Sequence, residues 1–262
     1  MVGSLVRAFG RPAIDAVAAA GATALFLARG LGVIARHGFP LRETVRLIGR
    51  LGVSCIGPVL LVVAPMGAVM ALEGDVIVRW FGVDRLLAPL VALAMAREIA
   101  PGFSALMIAM QAGASIAAEL GAMRARDEID AHEVMAVDPL RALVAPRLVA
   151  GLIVTPLLNL IALVFGVATA YLVAVYGRGM AGAAFIENSL YWLTPGDVWG
   201  GELKAAVYGL IITAISCYQG YHSTRSAVGV GEAANRAIVH AIVMLPIANY
   251  AINSALYAGV GR

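Results

Sequence analysis

Arg97 and Glu98 are adjacent charged residues inside a long apolar stretch, Leu86–Ala118. Ionisable side chains at membrane depth are costly and usually functional. Arg97 could bind an anionic group through charge-assisted hydrogen bonds, and Glu98 could hold a coupling ion. Neighbouring residues of a helix point about 100° apart, so one of them could face a cavity while the other contacts a neighbouring helix. A structural charge pair that fixes helix packing is the alternative.

A second concentration of charge, "GAMRARDEIDAHEVMAVDPLRALVAPRLV" at 121–149, lies between two apolar stretches. Asp127 can cap a short helix, with Asp130 at the third position as in a capping box. Asp138-Pro139 is typical of the start of another helix. The short helix would carry an apolar patch beside a row of carboxylates. That arrangement fits a docking surface for a partner, and a solvated connecting turn is the alternative. The patch comprises Ala131, Val134 and Met135, and the row comprises Asp127, Asp130 and Glu133.

Two further sets of polar residues are expected to hold the helices together. Asn249 and Asn253 stand at i and i+4 in the last apolar stretch, and we expect them to make interhelical hydrogen bonds. Glu119 is expected to cap a helix or to form an ion pair close to the charged loop. The candidate partners of Glu119 are Arg124, Arg126 and Arg147.

Composition places these charges in a membrane protein. The 262 residues are 61% hydrophobic and only 13% charged, whereas soluble domains carry about 25% charged residues. Of the 19 basic residues all but Lys204 are arginine, and no basic tract is long enough to indicate nucleic-acid binding. The small basic excess instead favours orientation by the positive-inside rule.

The apolar stretches predict an all-α polytopic protein with five transmembrane helices. Each stretch approaches or exceeds the length needed to cross roughly 30 Å of hydrocarbon. The second, which contains Pro101, is too long for one straight crossing and predicts a kinked or protruding helix. The sequence therefore divides into N-terminal interfacial helices at 1–50 and a five-span domain at 51–262, with the charged loop at about 121–147. The spans are Leu51–Leu72, Leu86–Ala118, Leu148–Tyr176, Ala205–Tyr221 and Ala237–Val260.

The N-terminal segment is predicted to lie along the membrane surface. Ala16–Ala28 is apolar but short, and Arg42, Arg46 and Arg50 recur every four residues on one face of the next helix. A basic amphipathic helix of this kind lies in the bilayer interface; an ordinary solvated helix is the alternative. Five spans place thirteen basic residues on the N-terminal side and five on the other. This asymmetry predicts a cytoplasmic N-terminus and an outer C-terminus.

The sequence lacks the residue sets of several enzyme classes. A P-loop needs a lysine after its second glycine, but Lys204 follows Leu203. His132-Glu133 resembles the start of a zinc-protease motif, yet Ala136 stands where the second histidine belongs. We therefore expect no catalytic residues, metal site or cofactor in this chain. Any ATP and Mg²⁺ would be bound by a separate ATPase subunit.

The stretch "AAELGAMRARDEIDAHEVMAVDPLRALVAPRLVA" resembles the signature of the MlaE/YrbE permease family, the membrane subunits of ABC-type lipid transporters that work with MCE-domain proteins. "REIAP" (97–101) and "GVGEAANRAIV" (229–239) agree with it as well. Ala136, where glycine is usual, and His132, where an apolar residue is usual, depart from the pattern. The matching residues are Glu119, Leu120, Gly121, Met123, Glu128, Ile129, Asp130, Ala131, Glu133, Met135, Asp138, Pro139, Pro146 and Arg147.

The resemblance implies a permease subunit of the bacterial inner membrane that moves lipids. It also implies three partners: a cytoplasmic ABC ATPase, a second permease chain in a homodimer or heterodimer, and an MCE-domain lipid-binding protein. The charged loop would be the coupling helix, which contacts the ATPase through Glu119, Arg124, Asp127, Glu128, Asp130, Glu133, Met135 and Asp138. The resemblance places Arg97 and Glu98 beside a lipid cavity, where Arg97 could bind the headgroup. The chemistry of the residues adds Lys204 at the outer mouth and an apolar wall, for which an ordinary lipid-facing or packing role is the alternative. The wall comprises Met70, Ile77, Val78, Phe81, Ile99 and Phe103.

Two other functions remain open. An ion-coupled secondary transporter would need an intramembrane acid, for which Glu98 is the obvious candidate near mid-span. A membrane scaffold for a cytoplasmic enzyme would explain the charged loop, but it leaves Arg97 and Glu98 without a role.

Overall fold

The computed structural model describes the backbone of residues 2–257 and the side chains of residues 18–256. Over these residues the chain is helical and contains no strand, which confirms the all-α prediction. The helices are α1 (Val2–His37), α2 (Leu41–Trp80), α3 (Asp84–Ala125), α4 (Glu128–Val134), α5 (Leu140–Gly177), α6 (Gly182–Trp192), α7 (Pro195–Tyr221) and α8 (Ala227–Tyr257).

Six segments of the described chain are long and apolar enough to cross a membrane, one more than predicted. Four of them contain the first four predicted spans, and a fifth covers residues 237–256 of the last one, whose predicted end at Val260 lies outside the described residues; together they confirm a polytopic membrane protein. Each begins before its predicted span. Helix α2, for example, continues without a break through position 50. The predicted boundary at 50 is therefore not a break in secondary structure.

The sixth segment, Ala18–His37, contains part of the helix predicted to be interfacial. Its side chains are mostly exposed, and its contacts lie at one end of the bundle. Phe26 packs against Tyr218, Tyr221 and His222 at the end of α7, with ring centroids 5.7–5.8 Å apart. Phe26 is near the middle of the segment, yet it contacts the end of a spanning helix. This contact fits a helix at the membrane surface better than one centred in the bilayer.

The bundle has two distinct ends. Helices α2, α5 and α8 begin at the end that carries α4 and the 222–226 turn, which we call the α4 end. Helices α3 and α7 begin at the opposite end, which carries α6 and is called the α6 end. At roughly 1.5 Å per residue, the 40 residues of α2 and the 42 of α3 are about twice as long as the hydrocarbon is thick. Helix α3 is thus too long for one straight crossing, as predicted; whether it kinks or protrudes stays a prediction.

Small residues let the central helices pack closely. A Cβ on Gly67 of α2 would lie 2.0 Å from the Gly166 carbonyl oxygen of α5, and the Thr169 hydroxyl donates to the Ala64 carbonyl oxygen at 2.8 Å. Gly151 of α5 and Gly209 of α7 make a similar approach. Helix pairs in membranes associate largely through such close packing. These crossings hold α2, α5 and α7 in close contact.

Candidate functional site

The backbone of α3 changes its hydrogen-bond pattern at Arg97 and Glu98. Residues Met95–Ile99 form a π-helical turn, and Pro101 follows it. Because proline has no N–H, Pro101 cannot donate to the carbonyl four residues earlier, which is that of Arg97. The Lys204 ammonium of α7 donates to this carbonyl oxygen at 2.7 Å. The two helices are thus joined where the proline interrupts the backbone hydrogen bonds.

Glu98 is the centre of a polar cluster between α3, α7 and α8. Its Oε1 accepts hydrogen bonds from Lys204 Nζ at 2.7 Å and from Asn253 Nδ2 at 2.9 Å, and its Oε2 accepts one from Asn249 Nδ2 at 3.0 Å. The Tyr208 hydroxyl donates to Asn249 Oδ1 at 2.7 Å. Asn249 and Asn253, at i and i+4, were predicted to make interhelical hydrogen bonds, and this is confirmed. Glu98 is therefore tied to two neighbouring helices.

Arg97 points away from Glu98, as the divergence of neighbouring helical residues predicts. Its Nε donates to Asp197 Oδ1 at 2.7 Å, and its Nη2 lies 2.6 Å from the same oxygen. The other oxygen of Asp197 accepts hydrogen bonds from the hydroxyl and the backbone N–H of Thr194, in a capping box that starts α7. Arg97 and Glu98 are thus not paired with each other, and each is neutralised by a residue of α7.

The prediction that Lys204 lies in an outer loop is wrong. Helix α7 begins at Pro195, ten residues before the predicted span, and Lys204 is 0% exposed within it. The ion pair with Glu98 neutralises the lysine, so the charge of Lys204 does not prevent the helix from extending back to Pro195. Lys204 therefore belongs to the polar cluster and not to an outer opening.

A cleft of about 390 Å³ opens beside the polar cluster, between α3 and α8. Glu98, Tyr208 and Asn249 line its polar end, and Glu98 keeps 44% of its side chain exposed. The remaining wall is almost entirely apolar. A pocket with one polar end and an apolar wall can bind a molecule that has a headgroup and a hydrocarbon chain. The other lining residues are Ile99, Gly102, Phe103, Ala105, Leu106, Ile242, Leu245 and Pro246.

Only part of the predicted apolar wall borders this cleft. Ile99 and Phe103 do, whereas Met70, Ile77, Val78 and Phe81 are not among the described residues that line it. Val78 is buried among side chains of α2, α3 and α5, and Met70 packs against the same group. Phe81 is 75% exposed beyond the end of α2. The predicted wall places α2 beside the cleft, whereas the structure places α8 there.

A second intramembrane acid, Glu202, went unnoticed in the sequence. The prediction assigned it to the outer loop with Lys204, but it lies in α7. Asn159 Nδ2 of α5 donates to its Oε1 at 2.8 Å, and its Oε2 is buried without a hydrogen-bond partner in the described structure. Asn159, a polar residue inside the predicted span Leu148–Tyr176, was the available signal for this contact.

Helix α4 presents an exposed apolar surface at the α4 end. Val134 is 88% exposed and Met135 is 64% exposed, while Ile129 on the opposite side is fully buried. Glu133 is exposed beside them. The helix is thus held to the bundle by one face and leaves the predicted patch free for contact.

The acidic row of α4 is used mainly within the chain. Asp130 forms ion pairs with Arg124 of α3 and Arg225 of the 222–226 turn, and Asp127 lies 3.1 Å from Arg225. Asp127 is the N-cap residue of α4, as predicted, but it has φ 56° and makes no side-chain cap hydrogen bond in the described structure. Its carboxylate contacts Arg225 instead. Asp138 does cap the next helix, since its Oδ1 accepts the Leu140 N–H at 2.9 Å.

Glu119 links three helices at the α4 end. It contacts the largely buried Arg147 of α5 at 3.1 Å and Arg50 of α2 at 3.5 Å. The predicted pairing with Arg147 is confirmed. The two other candidates, Arg124 and Arg126, pair with Asp130 and Glu128 instead. In these contacts Glu119 fixes the bundle beneath α4.

Ala136 ends α4 in a conformation that favours glycine. Its φ is 56°, and two reverse hydrogen bonds close the helix: Val137 N–H to the His132 oxygen at 2.9 Å and Ala136 N–H to the Glu133 oxygen at 3.0 Å. This is the Schellman arrangement, in which the residue after the helix adopts a left-handed conformation and is usually glycine. The departure noted at this position in the sequence therefore introduces backbone strain.

Ala136→Gly is expected to stabilise the end of α4 by about 1 kcal/mol, because a left-handed conformation costs an L-residue roughly 1–2 kcal/mol. Hydrogen exchange at the Val137 amide should slow roughly fivefold. Ala131→Gly is the control, because this residue is exposed in the helix interior, where glycine costs about 1 kcal/mol. Equal acceleration of exchange in both variants would contradict the strain at Ala136.

Comparison with known proteins points to one family. The family described as "Permease MlaE" matches residues 44–255. A probable ABC transporter permease protein of Rickettsia conorii is 34% identical over 257 residues, which cover 98% of this chain and 99% of that protein. The intermembrane phospholipid transport system permease protein MlaE of Haemophilus influenzae is 33% identical, with 94% of each chain covered. The chloroplastic protein TRIGALACTOSYLDIACYLGLYCEROL 1 of Arabidopsis thaliana is 30% identical over 84% of this chain and 63% of that protein.

Proposed function

This chain belongs to the MlaE permease family, and from that premise we propose that it is the membrane subunit of an ATP-driven transporter that moves lipids, phospholipids among them, through the cleft between α3 and α8. The cleft carries this proposal. Its apolar wall suits acyl chains, and the polar cluster at one end suits a headgroup. The name of the Haemophilus influenzae relative states phospholipid transport.

Helix α4 is the proposed contact with a separate ATPase. The relatives' names describe ABC transporter permeases, and the 262 residues of this chain include no P-loop. An exposed apolar pair beside Glu133 gives α4 the surface that a cytoplasmic partner could grip. Because Asp127 and Asp130 bind arginines of the same chain, we assign the contact chiefly to Glu133, Val134 and Met135.

The α4 end is proposed to face the cytoplasm of a bacterial inner membrane. Arginine predominates at that end, and moving Lys204 out of the loops lowers the opposite count from five to four. The cleft opens at the side of a single chain, so a second permease chain would close it into a central cavity. An MCE-domain protein at the α6 end would then exchange lipid with that cavity.

Ion coupling at Glu98 is less well supported. The carboxylate accepts hydrogen bonds from the Lys204 ammonium and from two amides. A coupling cation would have to compete with a lysine at 2.7 Å. The cluster therefore favours a role in holding the helices and shaping the cleft.

Val134→Asp with Met135→Asp is expected to separate this chain from its motor. Adding two charges to the apolar contact should reduce the ATPase activity that copurifies from native membranes by about tenfold or more. Val228→Asp is the matched control, because Val228 is 72% exposed at the same end but lies on α8. The readout is ATPase activity per mole of tagged chain, with ATP-dependent lipid transfer measured in reconstituted vesicles.

Equal ATPase activity in the α4 variant and the Val228 control would contradict the docking role of α4. Wild-type membranes that yield no copurifying ATPase would contradict an ATP-driven transporter altogether. Lipid transfer driven by an ion gradient in the absence of ATP would support the secondary transporter instead.

A further inference from the structure

Hydrogen-bond donors at the polar end of the cleft point into the protein. The Tyr208 hydroxyl donates to Asn249, and both amide N–H groups of Asn253 are directed at Glu98 and Asn249, at 2.9 and 3.4 Å. Asn249 donates one N–H to Glu98 at 3.0 Å, which leaves its second N–H. A ligand that offers only acceptors would therefore find little to bind here.

Acceptors at the same place are in excess. A carboxylate has about four lone-pair sites, and the contacts of Glu98 with Lys204, Asn249 and Asn253 occupy three. The remaining site is on Oε2, in a side chain that is 44% exposed and lines the cleft. Asn253 Oδ1 is also buried there without a hydrogen-bond partner among the described residues, so its dipole adds negative potential.

The cations are turned away from the cleft. Lys204 is fully buried and binds Glu98 and the Arg97 carbonyl, while the Arg97 guanidinium binds Asp197. Neither cation lines the cleft. A phosphate placed against Glu98 would meet a carboxylate, and no cation of the described residues lines the cleft there. A contact of Arg97 with a headgroup, which stays a prediction, would have to be made outside this end of the cleft.

We propose that the polar end of the cleft selects lipids whose headgroup carries hydrogen-bond donors, an ammonium N–H or a hydroxyl, over lipids whose headgroup has only acceptors or a fully methylated amine. The inference rests on the proposed lipid-binding function. The donor group contacts Glu98 Oε2, and the phosphate lies farther along the cleft.

The test compares four lipids with identical acyl chains. The complex, purified with its copurifying partners, is equilibrated in vesicles of equal parts phosphatidylethanolamine, phosphatidylglycerol, phosphatidylcholine and phosphatidylmethanol, whose methyl phosphodiester has only acceptors. Lipid retained after mild detergent extraction is counted by mass spectrometry. A charge-assisted hydrogen bond predicts roughly tenfold enrichment of the ethanolamine and glycerol lipids over the choline lipid and phosphatidylmethanol. Glu98→Gln, which replaces an acceptor oxygen with an amide donor, should reduce that enrichment.

The comparison of the four lipids on the wild-type protein is enough to test donor selection. The test therefore holds even if the Glu98→Gln variant folds poorly. Equal retention of all four lipids, or preference for phosphatidylcholine or phosphatidylmethanol, overturns donor selection and leaves lipid binding intact. No lipid retained above a membrane protein of unrelated fold overturns lipid binding at this cleft as well. Enrichment that persists unchanged in a folded Glu98→Gln variant overturns the assignment to Glu98.

Discussion

Lys204→Met is expected to lower the free energy of unfolding by about 3 kcal/mol, the low end of the cost of breaking a buried ion pair. The lysine is 0% exposed and supplies hydrogen bonds to Glu98 and to the Arg97 carbonyl. Without it, that carbonyl loses the donor that replaces the missing Pro101 N–H. The free energy is measured by denaturant titration of the purified protein in mild detergent.

Two comparison variants make this result specific. Arg236→Met removes an exposed ion pair with Glu232, 3.7 Å apart, and should cost under about 1 kcal/mol. Lys204→Met combined with Glu98→Gln should recover part of the loss, because the unpaired carboxylate is then neutral. A loss for Lys204→Met no larger than that for Arg236→Met would mean that the polar cluster does not hold α3 and α7 together.

The helical architecture could be predicted because length and hydropathy alone decide whether a segment can cross a bilayer. The boundaries of the helices could not be predicted, because a count of charges treats each charged residue as unpaired. The predicted span starts after Lys204 only because its partner Glu98, 106 positions earlier, could not be recognised from the sequence. Glu202 was placed in a loop for the same reason, and its contact with Asn159 also joins distant positions.

Some of the candidate site was readable before the structure. Arg97 and Glu98 were identified from their setting, and the spacing of Asn249 and Asn253 predicted interhelical hydrogen bonds. The partner of the Arg97 carbonyl could also have been sought, since a proline four residues later always frees that group. The position of α8 along the cleft could not be predicted, because the sequence alone does not show which helices are neighbours. The apolar wall was therefore assigned to α2.

Arg225→Ala is expected to uncouple ATP hydrolysis from lipid transfer, and this prediction rests on the proposed function. Arg225 contacts Asp127 at 3.1 Å and also pairs with Asp130, so it joins α4 to the turn that precedes α8. The far part of α8 carries Ile242, Leu245, Pro246 and Asn249 into the cleft. Movement of the docked α4 would thereby reach the lipid site. Coupling free energies of 1–3 kcal/mol are typical, so lipid transferred per ATP hydrolysed should fall at least about fivefold.

A double-mutant cycle separates this coupling role from a structural one. The pairs of Arg225 are half-exposed, so Arg225→Ala should change the free energy of unfolding by no more than about 1 kcal/mol. If Asp130 acts through Arg225, the variant with both Arg225→Ala and Asp130→Ala should transfer as much lipid per ATP as the worse single variant. Multiplying losses would indicate that the two residues act separately. Arg225→Lys keeps the charge and should retain most of the transfer, whereas a ratio equal to wild type in Arg225→Ala would show that α8 receives no signal through this contact.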